Sequence, residues 1–177
     1  MGLHFQHEPG RGAVRERTGL DATDIRILSA VQKHGQLSKT RLAEIVNLSA
    51  TPCWTRLTRL RAAGYIRGYH ADIALERVVD VTRVVVTVSL THHQKADFDR
   101  FESHIMDNDA IINCVATGGG IDYVMTVVVP DISAFQELMD ELLSADLAID
   151  RYMTYFATRL IKGEQPNLAK LTARKPR

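Results

Sequence analysis

The stretch Leu37–Tyr69, LSKTRLAEIVNLSATPCWTRLTRLRAAGYIRGY, decides the fold of this chain. Ser38 suits an N-cap, because its hydroxyl can accept from the free N–H groups of a first turn, and Leu42, Ile45 and Val46 then recur on one helical face. Asn47-Leu48 interrupts that helix. Ser49 suits a second N-cap, and Pro52 falls inside the next first turn, where its missing N–H costs nothing. Cys53, Leu57 and Leu60 follow at i, i+4 and i+7 as one inward stripe, and Gly64 supplies a left-handed stop. At about 100° per residue, Thr51, Thr55, Thr58 and Arg59 lie opposite the stripe, with Arg56 and Arg61 on its flanks. Two helices joined by a short turn, the second with a small-polar and basic outer face, form a helix-turn-helix suited to the major groove. An ordinary helical hairpin has the same periodicity, so it is the chemistry that points to duplex DNA. Arginine matches guanine edges and phosphates bidentately, threonine permits close approach, and open N–H groups around Ser49 favour a phosphate.

Within this stretch, LSATPCWTRLTRLRAAGYIRGY resembles the LSPTPCxxRVxRLExxGxIxGY signature of the leucine-responsive regulatory protein / AsnC family, the feast/famine regulators of bacteria and archaea. Leu48, Ser49, Thr51, Pro52, Cys53, Arg56, Arg59, Leu60, Gly64, Ile66, Gly68 and Tyr69 are in register, and weaker agreement runs from about Leu20 to Ile161. Ala50 replaces a usual proline, while Trp54, Thr55 and Thr58 stand at variable positions. The resemblance implies an N-terminal winged helix-turn-helix followed by a ferredoxin-like βαββαβ domain for effector binding and dimerisation, an α+β protein. The candidate DNA contacts are Ser38, Ser49, Thr51, Pro52, Thr55, Arg56, Arg59 and Arg67.

With 177 residues, the chain can hold one large domain or two small ones. No apolar run approaches the ~18 residues of a membrane span, and the N-terminus lacks the apolar core of a secretory signal. Cys53 and Cys114 make no metal or redox motif and read as packing residues in a reducing cytoplasm. Charge is divided unevenly. Up to Thr82 there are 12 Lys/Arg against 8 Asp/Glu, a net of +4, whereas Arg83–Gly163 has 6 against 12, a net of −6. The last 14 residues return to +3. One half is thus fitted to meet phosphate and the other is not.

In chain order, residues 1–19 lack periodicity and read as a disordered arm, whose Arg11, Arg15 and Arg17 are available to a DNA backbone. His4 and His7 have no third ligand nearby. Residues 20–71 form the reader. Asp21 and Asp24 open its first helix as a capping-box-like pair, Ile25, Leu28 and Val31 supply its apolar face, and Lys33-His34-Gly35 ends it. Residues 65–67 and 69–71 read as two short wing strands turning near Gly68. A linker at 72–82 precedes the domain at 83–162. There a strand (83–90), a helix (95–106), two strands (111–117 and 121–129), a helix starting near Asp131 or Ser133, and a strand (149–158) give β-α-β-β-α-β. Val85 and Thr87 alternate with inward Val84, Val86 and Val88, which leaves an apolar sheet face uncovered and predicts a homodimer. The resemblance extends this to octamers. Residues 163–177 read as a flexible basic tail.

The segment CVATGGGIDYVMTVVVPD, Cys114–Asp131, resembles the family's CxxVSGDFDYLLxxRVPD, with Gly119, Asp122, Tyr123, Val129, Pro130 and Asp131 matching. In the family this turn lies between dimers and binds an amino-acid effector. The resemblance therefore marks Thr117, Gly118, Gly119, Gly120, Asp122 and Tyr123 as effector residues. Successive glycines let backbone N–H groups converge on a carboxylate, and Asp122 is placed to hold an ammonium. Gly118, Gly120 and Ile121 depart from the usual Ser/Thr, Asp and aromatic residue, so the expected effector is bulkier or less basic than leucine, such as an amino-acid derivative. His92-His93 makes a poor chelate, because neighbours on a strand point to opposite faces.

No nucleophile–base pair, metal cluster or phosphate loop points to an enzyme. The expectation is a cytoplasmic, nucleoid-associated bacterial or archaeal transcription regulator. Its partners are double-stranded DNA, a second copy of itself and a small amino-acid-like ligand, with no membrane and no cofactor. An architectural DNA-packing protein of the same fold, lacking an effector, is the alternative.

Overall fold

The computed structural model describes residues 19–173. The arm residues Arg11, Arg15 and Arg17, with His4 and His7, lie outside them. The described residues divide into two compact units, one made of residues 19–72 together with 164–173, the other of Ile73–Gly163.

The first unit is built on α1 (Ala22–His34), α2 (Lys39–Val46) and α3 (Ala50–Ala62). Asp21 caps α1 in a reciprocal box with Asp24, and Ser38 caps α2 by accepting from the Arg41 N–H at 3.2 Å. Asn47 stops α2 in the left-handed conformation. After α3, Gly64 (φ +75°) lets Tyr65 N–H reach Leu60 C=O and Gly64 N–H reach Arg61 C=O, the two bonds of a Schellman stop. The core joins Leu42 and Val46 of α2 to Cys53, Leu57 and Leu60 of α3, as the periodicity requires.

Three expectations for this unit are corrected. The apolar face of α1 is centred on Ile27, Ala30 and Val31, with Ile25 and Leu28 only partly covered. The helix is turned so that Asp24 points inward, fully buried. The two wing strands are not formed: residues 65–71 run irregularly with no ladder, and the Arg61 guanidinium stands 5.9 Å above the Tyr69 ring. The tail is not featureless either. Asn167 caps a short α6 (Leu168–Thr172), which lies against α1 with Leu168 half-buried.

The second unit carries β1 (Thr82–Leu90), α4 (Lys95–Met106), β2 (Ile111–Ala116), β3 (Tyr123–Val129), α5 (Ile132–Ser144) and β4 (Ile149–Phe156). The sheet is antiparallel in the order β2-β3-β1-β4, which is the ferredoxin-like arrangement. Val84, Val86 and Val88 of β1 and Tyr123, Met125 and Val127 of β3 alternate inward beneath Phe101, Ile105, Phe135, Leu138 and Leu142 of the helices. On the opposite face Val85 pairs with Tyr155 and Thr126, and Thr87 pairs with Met153 and Val124. No element of this unit covers that face, and Val115, Met153 and Tyr155 stand half-exposed on it.

Candidate functional site

On the surface of α3, Thr51, Pro52, Trp54, Thr55, Thr58 and Arg61 are exposed, and the inward stripe is fully buried. Ser49 occupies the N-cap position without a side-chain capping bond, so the first N–H groups of α3 keep their donors free of a capping hydroxyl. The Thr55 hydroxyl donates back to Thr51 C=O at 3.1 Å, a local bond that leaves its methyl and one lone pair outward. Arg67 is exposed beyond the helix. Neither Arg61 nor Arg67 has an ion pair among the described residues.

Arg56 and Arg59 are placed differently from the free outer cations that the helical wheel suggests. Arg56 Nη1 lies 2.6 Å from Asp21 Oδ2 and 2.9 Å from Asp24 Oδ1, while Arg59 Nη2 lies 2.6 Å from Asp24 Oδ2. Two carboxylates therefore balance two guanidiniums, and the recognition helix is clamped to α1. Burial opposes ionisation of Asp24, but hydrogen bonds from Arg56 and Arg59 outweigh it and hold the carboxyl below its ordinary range. The Asp24 backbone N–H and then Arg56 hold Asp21 down, and these acids in turn raise Arg56. Arg59 keeps more than half of its side chain exposed, with its remaining N–H groups unspent on Asp24. Sequence reasoning missed the clamp. Its signal was the spacing of Asp24, Ile27 and Val31, which puts an acid in the buried stripe of α1 and calls for a cation opposite.

In the second unit the turn after β2 brings together Thr117, Gly118, Gly119 and Gly120, all exposed. Thr117 Oγ1 donates to Ile121 C=O at 2.6 Å and Thr117 N–H to Asp122 C=O at 2.8 Å, which closes the turn. Gly119 sits at φ +146°, open only to glycine. Asp122 is not an open acid. Its Oδ2 accepts from Leu90 N–H at 2.8 Å, and its Oδ1 lies 3.1 Å from His93 Nε2. His93 thus reaches the turn while most of its side chain stays in solvent. Tyr123 points to the other side of the sheet, buried against Phe101 with ring centroids 4.5 Å apart, and donates to Glu102 Oε1 at 2.8 Å. Burial and Glu102 push its hydroxyl pKa well up. Its side chain therefore anchors the turn from the core and does not line it. Tyr123→Phe should cost about 1 kcal/mol of stability, read by chemical denaturation, because one hydrogen bond is lost while Glu102 remains partly hydrated.

Burial raises both thiols, that of Cys114 to about 11 with Glu102 adding to it, so neither cysteine is a thiolate at neutral pH. Among the described residues no group of three or more His, Cys, Asp or Glu side chains could hold a metal ion, and no helix is long and apolar enough to cross a membrane.

A three-helix reader with a polar recognition face, together with a ferredoxin-like domain bearing a glycine turn, defines a ligand-responsive DNA-binding transcriptional regulator. Family models agree with this division: residues 20–67 match the winged helix-turn-helix DNA-binding model and residues 83–166 the Lrp/AsnC ligand binding domain. The chain belongs to the Lrp/AsnC family of transcriptional regulators. It is 41% identical over 150 residues to the transcriptional regulatory protein DoeX of Halomonas elongata, covering 85% of this chain and 95% of that one. The solved AsnC family transcriptional regulator of Agrobacterium tumefaciens is similar at a TM-score of 0.76 and 28% identity, over 83% of this chain and 95% of that one. A Neisseria meningitidis transcriptional regulator solved as a complex with L-Met is similar at 0.75 and 29%, over 82% and 94%.

Proposed function

We propose that the outer face of α3 reads one half-site of a two-fold operator, and that a second copy, paired through the uncovered sheet face, reads the other. Ser49, Thr51, Pro52 and Thr55 meet the groove near the start of α3. Arg67 and the free edge of Arg59 take phosphates, Arg56 acts as a strut to α1, and Ser38 acts as the cap of α2. The observation that carries this reading is the exposed Thr51, Thr55 and Thr58 row on a helix locked at a fixed angle by Asp24. The protein works on DNA in the cytoplasm as a regulator, without catalytic chemistry of its own.

Electrophoretic or anisotropy titrations across a salt series test it. Arg67→Ala should weaken binding to all duplexes and flatten the logarithmic salt slope by about one unit. The double change Thr51→Ala/Thr55→Ala should cost about ten-fold on the operator and almost nothing on random duplex. An operator affinity unmoved by either change removes this face from the interface.

We further propose that the turn Thr117–Asp122 receives the carboxylate of an amino acid or amino-acid derivative on the backbone N–H groups of Gly118–Gly120. Support comes from the Neisseria relative's complex with L-Met. Because Asp122 already serves Leu90 and His93, an effector ammonium must compete with His93 or find its partner on another subunit. That agrees with a derivative less basic than leucine. Calorimetric titration with free amino acids and their N-acylated forms decides it, and tight leucine binding with no response to derivatives would sink this choice. An effector changes assembly or DNA affinity only through its differential affinity for the two arrangements.

A further inference from the structure

In the second unit β4 is an edge strand, paired with β1 on one side only. Its residues Tyr152, Thr154 and Phe156 lie opposite the inward Val88, Val86 and Val84, so they face toward α5. They do not close the gap. A groove of about 480 Å³ remains between strand and helix, walled by Phe135, Met139, Tyr152 and Phe156, with the polar Gln136, Thr154 and Asp140 also lining it. The Phe135 and Phe156 rings meet edge-on at 5.8 Å. Tyr152 and Phe156 keep 39% and 49% of their surface in solvent. Just past the end of β4, the run Arg159-Leu160-Ile161-Lys162 sets two aliphatic side chains, 69% and 76% exposed, between two cations. A groove with aromatic walls and the Asp140 carboxylate at its edge suits an aliphatic pair preceded by Arg159.

We propose that Leu160 and Ile161 of a second copy of this chain fill the α5–β4 groove, with Arg159 laid against Asp140. The inference rests on the pairing of copies through the outer sheet face. Met153 and Tyr155 belong to that face and alternate along β4 with the groove residues, so the two surfaces adjoin on one strand. Charge favours this segment over the exposed pair Val78-Val79, whose flanking Arg77 and Asp80 offset each other. The segment does not enter its own groove, although it begins three residues beyond Phe156. Two-fold symmetry makes the exchange reciprocal, with each copy giving a segment and receiving one.

Sedimentation equilibrium on the full chain over a wide concentration range tests this. Asp140→Arg and Arg159→Asp should each raise the dimer dissociation constant about ten-fold, and the combined charge swap should bring it back to within about three-fold of the parent. The double variant Leu160→Ser/Ile161→Ser should weaken the dimer at least as much as either single charge change. All four positions are exposed, so the circular dichroism of the folded chain should be unchanged. Neutral single variants, or a swap with no recovery, would overturn the exchange. So would protection of Leu160 and Ile161 that is independent of concentration, because the chain's own segment would then be the occupant. A dimer indifferent to every variant leaves the sheet pairing intact, while a parent chain monomeric throughout overturns both.

Discussion

Replacing Asp24 with alanine is expected to destabilise the first unit by about 2–4 kcal/mol and to loosen α3 from α1. Asp24 is fully buried and carries Arg56 and Arg59 at 2.9 and 2.6 Å. Removing one member of a buried ion pair typically costs about 3–5 kcal/mol, and the exposed edges of both arginines recover part of that from water. The change also deletes half of the α1 capping box. Hydrogen exchange of the α1 and α3 amides reads the effect on this unit alone, which matters because two units need not melt together. Exchange in α3 unchanged from the parent would show that the clamp contributes little.

The same cluster gives a pH dependence. Asp21 and Asp24 have folded-state pKa values below the ordinary 3.8, so the unfolded chain binds their protons more readily than the folded one. The stabilising contribution is therefore complete above about pH 4 and is lost as the pH falls through the lower folded values. Acid titration of the same amides should show α1 and α3 releasing together, and Asp24→Asn should shrink that acid-dependent step.

Under the proposed sheet pairing, Met153→Asp is expected to raise the dimer dissociation constant by about 100-fold or more, while the protomer keeps its fold. Met153 is half-exposed on the outer sheet face, so within one protomer the carboxylate remains hydrated. Pressed against a partner, it would be buried without a cation, at a cost of several kcal/mol, and each 1.4 kcal/mol is a factor of about ten. Sedimentation velocity should show a monomer at concentrations where the parent is dimeric. Operator affinity should then drop to that of a single half-site reader. Assembly equal to the parent would place the contact elsewhere.

The fold was legible along most packed faces, the face of α1 excepted. The Cys53, Leu57 and Leu60 stripe, the Val84, Val86 and Val88 alternation and the Phe135, Leu138, Met139 and Leu142 face are all buried as their spacing requires. What the sequence hid were the polar partnerships. A helical wheel shows Arg59 on the outside but not the acid 35 residues away that reaches around to it, because such a pair has no local period. Tyr123 was misassigned for a related reason. Strand alternation sends it inward while Asp122 stays at the turn, so two adjacent matches to one motif serve opposite faces of the sheet. The two strands expected in the wing are missing because seven residues, Tyr65 to Ala71, provide too short a ladder to outweigh solvation of an edge.

The chain leaves the reader unit after Asp72 and returns to it at Glu164, which makes the sensor an insertion within the reader. During synthesis, α1 to α3 emerge first, yet α6 reaches α1 only after β1 to β4 have been made. A product cut short after β4 would thus keep all four strands of the sheet and lose the α6 cover of α1, so the cut is felt far back along the polypeptide.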